Sequence, residues 1–555
     1  MGEQLILDRR RRHLERYLEI GHILASYGWQ SLLSRLGLTN LFGIRKRPSG
    51  VPPGPVQVRQ SLEELGPTFV KLGQVLSTRP DIIPPNYIAE LEKLQDRVPP
   101  IPFAEIRRVI EEEFAAPLKD VFAYIDEESL AAASLGQTHL ATLLDGRDVV
   151  VKVQRPDIRK IIENDLEIIA GVARFLDQHL EGLKVYGLTD LAEEFSITIL
   201  QELDYTREGR NGDQLKENFK DIPYVKIAAT IWDYTTPRVL TMERVCGVKI
   251  TDLAKLEEKG YNRCIIAANL SKAFLKMIFV DGVFHGDPHP GNLVILEGNC
   301  IGLLDYGMVG RIDRETKGYV TMLLEDYTKE DSAGFAEILL SMGTSPPDID
   351  RKAFKFNIDR LLRQYYGAPV SEFRIGEVLS RSLRLSARYN VRLPASLGML
   401  VKVIIGIEGI DQILDPSFNL SQEARPFALK AVMGEFSIPR LRDDLMKTLL
   451  RWKWLLVELP YHTSEVLDRM AEGSFRIVFR HEGLESSTKD LDRSANRLSF
   501  ALIASATIVG SSLTLSSKVG PVWHGYPLIG IIGFGISFVF AVWLMLSIIK
   551  AGRMS

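Results

Sequence analysis

Apolar positions recur at helical spacing from Ser61 to about Thr78, from Asn86 to about Gln95, and from Phe103 to Phe114. The pattern then changes to that of strands. Val121 to Ile125, His139 to Leu144 and Asp148 to Val153 read as three strands, the last two joined by an Asp145-Gly146 turn signal. Val239 to Glu243 reads as a later strand running into an inter-lobe hinge. A helical pattern covers Ala267 to Val280, and two short β-like runs follow, Leu293 to Leu296 and Cys300 to Leu304, about a Glu297-Gly298-Asn299 turn. From Leu253 onward the chain is otherwise mostly helical, including Arg314 to Thr328, Arg440 to Leu459 before Pro460, and a helix from Glu465. The first 47 residues are mainly helical and basic, Pro48 to Pro55 is a linker, and Val98-Pro99-Pro100-Ile101-Pro102 closes the next block. No repeat of solenoid type is present.

The C-terminus has a different pattern. Leu498 to Ser517 is twenty residues without a charge, and Gly525 to Ile549 is twenty-five more. Each is long enough to cross a hydrocarbon core of about 30 Å. The first holds six serines and two threonines, so the second carries the stronger signal. A buried helical hairpin is the alternative. Arg493 and Arg497 before, and Lys550 and Arg553 after, place both outer ends in the cytoplasm. Gly530, Gly533 and Gly535 offer small surfaces for helix contact, or are simply tolerated there.

Length and charge set outer bounds. A chain of 555 residues exceeds one ordinary domain, and a net charge of −3 predicts no general nucleic-acid affinity. Three cysteines, Cys246, Cys264 and Cys300, form neither a C-x-x-C pair nor a His cluster, which excludes a disulfide framework or zinc site and fits a reducing, cytosol-facing compartment. The charged start, Met1 to Arg12, does not read as a signal peptide. The basic runs Arg9 to Arg12 and Arg45 to Arg47 fit a solvated face or contact with anionic lipid head groups.

The candidate chemistry lies in His285-Gly286-Asp287-Pro288-His289-Pro290-Gly291-Asn292, followed by Asp305-Tyr306-Gly307. A kinase catalytic loop reads H-R-D-x-x-x-x-N, with D-F-G downstream. Here Asp287 and Asn292 are five apart and Asp305 lies thirteen beyond Asn292. Phosphoryl chemistry needs metal ions held between phosphate oxygens and a carboxylate to place the nucleophile. Asp305 is the candidate main Mg²⁺ ligand, Asn292 the second, and Asp287 the base or positioning residue. Pro288, Pro290 and Gly291 forbid a helix between the polar residues, and the predicted hairpin holds Asn292 at its start and Asp305 at its end.

The other half of a nucleotide site lies upstream. Lys152 interrupts an apolar strand, and a lysine facing the interior needs an anion partner. In a kinase such a lysine holds the α/β-phosphates and pairs with a helix glutamate. Ala131-Ala132-Ala133-Ser134-Leu135-Gly136-Gln137 occupies the place of the glycine-rich phosphate loop. Alanine keeps backbone N–H donors but removes φ > 0 freedom, so a stiffer corner is expected. Gln201 to Tyr205 and Glu208 fall in one predicted helix, where Glu202, Asp204 and Glu208 supply carboxylates, one of which can pair with Lys152.

With these residues in hand, the chain resembles the UbiB-like (AarF/UbiB/ADCK) atypical kinase family over roughly residues 60–310. The motifs that carry the resemblance are Leu65 to Gln74 (LGPTFVKLGQ), the AAASLGQ corner, QELDY, HGDPHPGN and DYG. The resemblance implies an α+β fold: a two-lobed protein-kinase-like fold with an N-terminal helical extension and a C-terminal transmembrane helical hairpin. It implies that Lys71 and Gln74, of the K-x-G-Q segment, reach toward the nucleotide pocket and the carboxylates of Glu202 and Asp204. It also implies that Glu208 partners Lys152, and that Ala131, Ala132, Ala133, Ser134, Gly136 and Glu243 lie at the nucleotide. ATP and Mg²⁺ are the implied cofactors. Membrane lipids, prenyl-quinone precursors and quinone-synthesis enzymes are the implied partners, with no nucleic acid; a homodimer is left open. Family members support ubiquinone-type biosynthesis and act as lipid-stimulated ATPases more than protein kinases.

Two departures from protein kinases agree. No A-P-E follows Asp305, so a peptide platform is missing, and position 289 is His where many protein kinases carry a lysine near the γ-phosphate. The expected organisation is a basic segment and linker (1–55), a helical extension (56–120), an N-lobe with helical insertion (121–245), a C-lobe (246–435), a connector (436–497) and two transmembrane helices (498–549), with the kinase-like domain on the cytoplasmic side of the inner membrane. The expected function is a membrane-anchored ATPase or kinase-like protein of prenyl-lipid metabolism. A catalytically silent ATP-binding scaffold and a conventional small-molecule kinase are the alternatives.

Overall fold

The computed structural model describes residues 2–35, 52–77, 79, 82–94, 99–179, 187–366, 374–420, 423–424, 426–427, 446, 452, 471, 484–517, 521–523 and 526–552. It divides into two compact units, residues 1–442 and 443–555. Apart from residues 446, 452 and 471, the expected helices over 440–459 and from 465 lie outside the described residues, as does the first half of the linker, 48–51.

The first unit opens with an all-helical extension: α1 (Gly2–Ser26), α2 (Gln30–Arg35), α3 (Pro55–Leu65), α4 (Pro67–Ser77) and α5 (Pro85–Leu91). The single helix expected from Ser61 to Thr78 is instead broken. Gly66 takes φ +99°, which a side chain resists, and Pro67 restarts the helix at its first turn. The break folds α3 against α4, and Leu62, Leu65, Phe69, Val70, Leu91 and Leu94 close one core with Ile20 and Ile23 of α1. A buried carboxylate pins this layer. Asp165 is fully buried and accepts from Arg16 Nε at 2.8 Å and Thr68 Oγ1 at 2.7 Å, so its charge is neutralised and hydrogen-bonded.

Next come α6 (Phe103–Phe114), α7 (Leu118–Val121) and β1 (Phe122–Ile125), β2 (Ala131–Ala132), β3 (Gly136–Leu143) and β4 (Asp148–Gln154). Then follow α8 (Ile158–His179), α9 (Leu188–Glu202), α10 (Tyr205–Asn218), β5 (Val225–Ile227) and β6 (Val239–Glu243). The main sheet is antiparallel with order β1-β3-β4-β6, and β2 pairs with β3. Strand alternation sends Val149, Val151 and Val153 onto Ile106, Val109 and Ile110 of α6. Each such valine contributes about 1.5–3 kcal/mol of burial. Lys152 therefore points to the opposite face, on an interior strand paired on both sides, so it is not an edge lysine.

The remainder comprises β7 (Val248–Lys249), α11 (Leu253–Glu258), α12 (Arg263–Leu275), β8 (Val283–His285), β9 (Leu293–Leu296), β10 (Cys300–Leu303) and β11 (Val309–Arg311). These lead into α13 (Arg314–Thr328), α14 (Ser332–Met342), α15 (Arg351–Leu362), α16 (Ile375–Arg388) and α17 (Ala395–Leu414). The helical pattern expected through Val280 changes after Leu275 to a wider π-type turn over Lys276–Asp281. β9 and β10 form the hairpin, Leu293 opposite Leu303, in a sheet ordered β5-β10-β9-β7. The largest core packs α12 and α17 beneath this sheet.

The second unit holds α18 (Leu484–Ser517) and α19 (Leu528–Gly552), joined through the small ladder of β12 (Val522–Trp523) and β13 (Tyr526–Pro527). Phe500 lies 6.2 Å from Phe540 and 5.2 Å from Trp543, ring to ring. Gly530 faces Leu515 and Gly533 faces Ser511, where any side chain would collide; Gly535 faces open space. Among the described residues, Ser494–Ser517 alone is long and apolar enough by length and composition to cross a membrane. Within α19 the apolar stretch among the described residues is Leu528–Trp543, so one of the two expected transmembrane helices meets the length and composition test here and the second is not shown.

Candidate active site

Lys152, Glu208 and Asp305 come together in one cluster. Lys152 Nζ lies 2.9 and 2.8 Å from the two carboxylate oxygens of Glu208 and 3.5 Å from Asp305 Oδ2. It also sits 5.3 Å over the Tyr205 ring. Burial alone would lower the Lys152 pKa, but Asp305 and Glu208 outweigh it and hold the ammonium well above its ordinary value. Burial likewise works against ionised Asp305, yet Lys152 and the Gly307 N–H, which donates to Oδ1 at 2.8 Å, bring its carboxyl down to about 2. Burial pushes Glu208 up, and the attraction of Lys152 does not offset it. Two carboxylates against one ammonium leave net negative charge, and 43% of the Asp305 side chain remains open to solvent.

Glu208 owes its place to a helix break that the sequence pattern conceals. The helix expected through Gln201–Glu208 stops at Glu202, and Asp204 restarts the chain as the N-cap of α10. Asp204 Oδ1 accepts from the Thr206 N–H at 3.1 Å and its hydroxyl at 2.7 Å. Glu202, at the last turn of α9, meets Lys71 Nζ at 2.5 Å, and Lys71 is buried. Gln74, one turn further along α4, donates to the Leu94 carbonyl at 3.2 Å. The K-x-G-Q segment is thereby tied both to α9 and to the chain after α5.

The loop from His285 to Asn292 is stapled by histidine. His285 Nδ1 accepts the Asp287 N–H at 3.1 Å, so Nε2 carries the proton and donates to the Asp305 carbonyl at 2.5 Å. Burial lowers its pKa, in keeping with a neutral ring. Asn292 Nδ2 donates to Asp287 Oδ2 at 3.4 Å, and the Leu304 N–H donates to the Asn292 carbonyl at 3.1 Å. The two predicted metal ligands thus stand beside the same rung of the hairpin. Among the described residues no group of three or more His, Cys, Asp or Glu side chains is placed to hold a metal. What is present is an ionised carboxylate, Asp305, and the Asn292 amide, whose nitrogen is turned to Asp287 and leaves its oxygen as a donor. Hard oxygen ligands of this kind, completed by water and phosphate, fit Mg²⁺.

The alanine corner is a closed hairpin. Ala131 and Ala132 pair with Thr138 and Gln137, and the Ala133 N–H is spent on the Gly136 carbonyl at 2.8 Å. Ser134 is buried, and a side chain at Gly136 would lie 2.2 Å from the Tyr205 hydroxyl. Arg155 fastens the corner, its Nε donating to the Ala133 carbonyl at 3.0 Å and its Nη2 to the Pro99 carbonyl at 2.9 Å. Gln137 Oε1 accepts the Ile101 N–H at 2.9 Å. Glu243, at the end of β6, pairs with Lys226 at 2.7 Å; burial works against its charge, but Lys226 keeps its pKa below the ordinary value.

Two neighbours were not singled out from sequence. Tyr306 is fully buried, accepts the Ala228 N–H at 2.7 Å and donates to the Leu303 carbonyl at 2.7 Å, and its ring lies against Gly212 of α10. Lys402 of α17 places Nζ 3.4 Å from Asp287 Oδ1. Its signal was available, because it is the one charge between Ala395 and Ile407 of an apolar helix.

Comparison with known proteins agrees in extent. Residues 93–339 match the ABC1 atypical kinase-like domain, 358–419 the UbiB helical domain, and 482–550 the ABC1/UbiB kinase-like C-terminal domain. A protein of Aliivibrio fischeri named "Probable protein kinase UbiB" is 30% identical over 91% of this chain and 96% of its own length. An uncharacterised Clostridium pasteurianum protein is 32% identical over 97% and 99%. The chloroplast protein "ACTIVITY OF BC1 COMPLEX KINASE 7" of Arabidopsis thaliana is 34% identical over 82% of this chain and 66% of its own. With a kinase-like fold carrying these motifs and matches spanning almost the whole chain, the protein belongs to the UbiB-like family of ABC1 atypical kinase-like proteins.

Proposed function

We propose that this protein is a membrane-anchored, atypical kinase-like ATPase that binds Mg-ATP and supports prenyl-quinone (ubiquinone) biosynthesis. The observation that carries the reading is the charge arrangement of the cleft: Lys152 between Glu208 and Asp305, with Asn292 one hairpin rung from Asp305. Lys152 is the ammonium to meet nucleotide phosphate, and Asp305 with the Asn292 amide oxygen would hold Mg²⁺. Bound Mg²⁺ supplies charge neutralisation on the phosphate oxygens. Asp287 orients the attacking hydroxyl, of water or of a lipid-like alcohol, and accepts its proton as the bridging Pγ–O bond breaks and ADP leaves. The lack of an A-P-E segment supports hydrolysis or a small acceptor over a protein substrate. Exposed apolar side chains along α18 and α19, among them Leu498, Leu502, Phe538 and Val539, support anchoring in a membrane, and the flanking Arg493, Arg497, Lys550 and Arg553 support a cytoplasmic side for the outer ends.

The test is phosphate release from Mg-ATP by the purified full chain, with and without anionic liposomes and quinone precursors, followed by product analysis. Free phosphate alone identifies hydrolysis, and labelled lipid identifies transfer. Nucleotide binding with no turnover under any of these conditions would replace this reading with that of an ATP-binding scaffold.

A further inference from the structure

Asp287 has both carboxylate oxygens occupied. Asn292 Nδ2 approaches Oδ2 at 3.4 Å from within the loop, and Lys402 Nζ approaches Oδ1 at 3.4 Å from α17, 115 residues further along. Within the loop residue 289 is His rather than lysine, and its Nδ1 accepts the Gly291 N–H at 3.0 Å. α17 is fitted to the loop along one face. A side chain at Gly406 would meet Pro288 at 2.9 Å, and one at Gly286 would meet the Met399 sulfur at 3.1 Å. Met399, Lys402 and Gly406 are spaced three and four apart, which places them on one side of the helix. Three-quarters of the Lys402 side chain is buried, and its charge is brought to Asp287, with Glu92 also within its electrostatic reach. A cation so enclosed is kept only where an anion answers it.

We infer that Lys402 is the positioning residue of the catalytic loop: it fixes the Asp287 carboxylate and brings to the reaction centre, from a distant helix, the positive charge that position 289 lacks. The inference rests on the proposed ATP turnover, and its experiment separates the two. Steady-state phosphate release is measured for the full-length chain and for Lys402→Met, Lys402→Arg and Lys355→Met, the last removing a surface lysine paired with Glu337. Methionine keeps the buried stem without the charge. Lys402→Met is expected to lower kcat about 10- to 100-fold, with KM for Mg-ATP within about 2-fold. Lys402→Arg is expected to recover most of the loss, and Lys355→Met to match the parent. An inactive parent overturns the turnover reading and this inference with it. An active parent with Lys402→Met at parental kcat overturns the inference alone. So does a loss that Arg does not repair, which would assign Lys402 to packing, or a loss confined to KM.

Discussion

Gly212 and Tyr306 are fitted to each other across the two lobes of the fold: a Cβ on Gly212 would lie 2.9 Å from the Tyr306 ring. Glu208 stands one helical turn before Gly212 on α10, so the contact that seats the tyrosine also sets the height of the glutamate beside Lys152. Gly212→Ala should destabilise the kinase-like unit by about 1–3 kcal/mol through overpacking. A lower urea midpoint by fluorescence checks it; an unchanged midpoint would show that the ring moves aside at no cost.

Removing the charge of Asp305 separates its two roles. Asp305→Asn keeps the shape and leaves Lys152 its closer partner, Glu208. Mg-ATP turnover should fall by about 100-fold or more while the fold is retained. Turnover at the parental rate, with folding verified by circular dichroism, would remove Asp305 from the chemistry.

How much of this was readable depended on distance along the chain. Asn292 and Asp305 were legible because a local hairpin signal brings them together. Lys152 was legible because a charge inside an apolar strand demands a partner. The break at Asp204 was concealed, since QELDYTRE carries helix-favouring residues on both sides and the cap acts only through Thr206 two residues on. Gly66-Pro67 held a visible stop, overridden by the apolar periodicity around it. Lys402 is visible as a lone charge in an apolar helix, but its partner is not, because the relation to Asp287 is made by the packing of α17.

The Lys71–Glu202 pair, mostly buried, holds α4 to the end of α9. Lys71→Met should release about 1–2 kcal/mol of this tie, given the partial exposure of Glu202. Amide exchange in α4 should quicken about 10-fold, read by hydrogen-exchange mass spectrometry. Unaltered exchange would mean that apolar packing alone holds the segment.

A buried acid in α17 makes stability depend on pH. Asp411 accepts from Ser271 Oγ at 2.5 Å, while its other oxygen is buried without a hydrogen-bond partner. Burial pushes its carboxyl up to about 8, against the Ser271 hydrogen bond and with help from Glu408 and Asp415. A folded-state pKa raised above the unfolded one gives stability that is complete at low pH and lost as pH rises toward about 8. Asp411→Asn removes that titration. Between about pH 5 and 8 the variant should gain on the parent by about 1.4 kcal/mol per pH unit. Parallel stability curves from denaturant titrations would show that Asp411 is ionised in the folded chain.

Arg155 holds the alanine corner with one branch of its side chain and the segment at Pro99 with another, while Gln137 grips Ile101 beside them. The corner and the Pro99–Ile101 segment are therefore fastened to each other through two side chains. A substitution at Arg155 or Gln137 reaches the alanine corner and the Pro99–Ile101 segment together, and neither can be re-placed without drawing on the other.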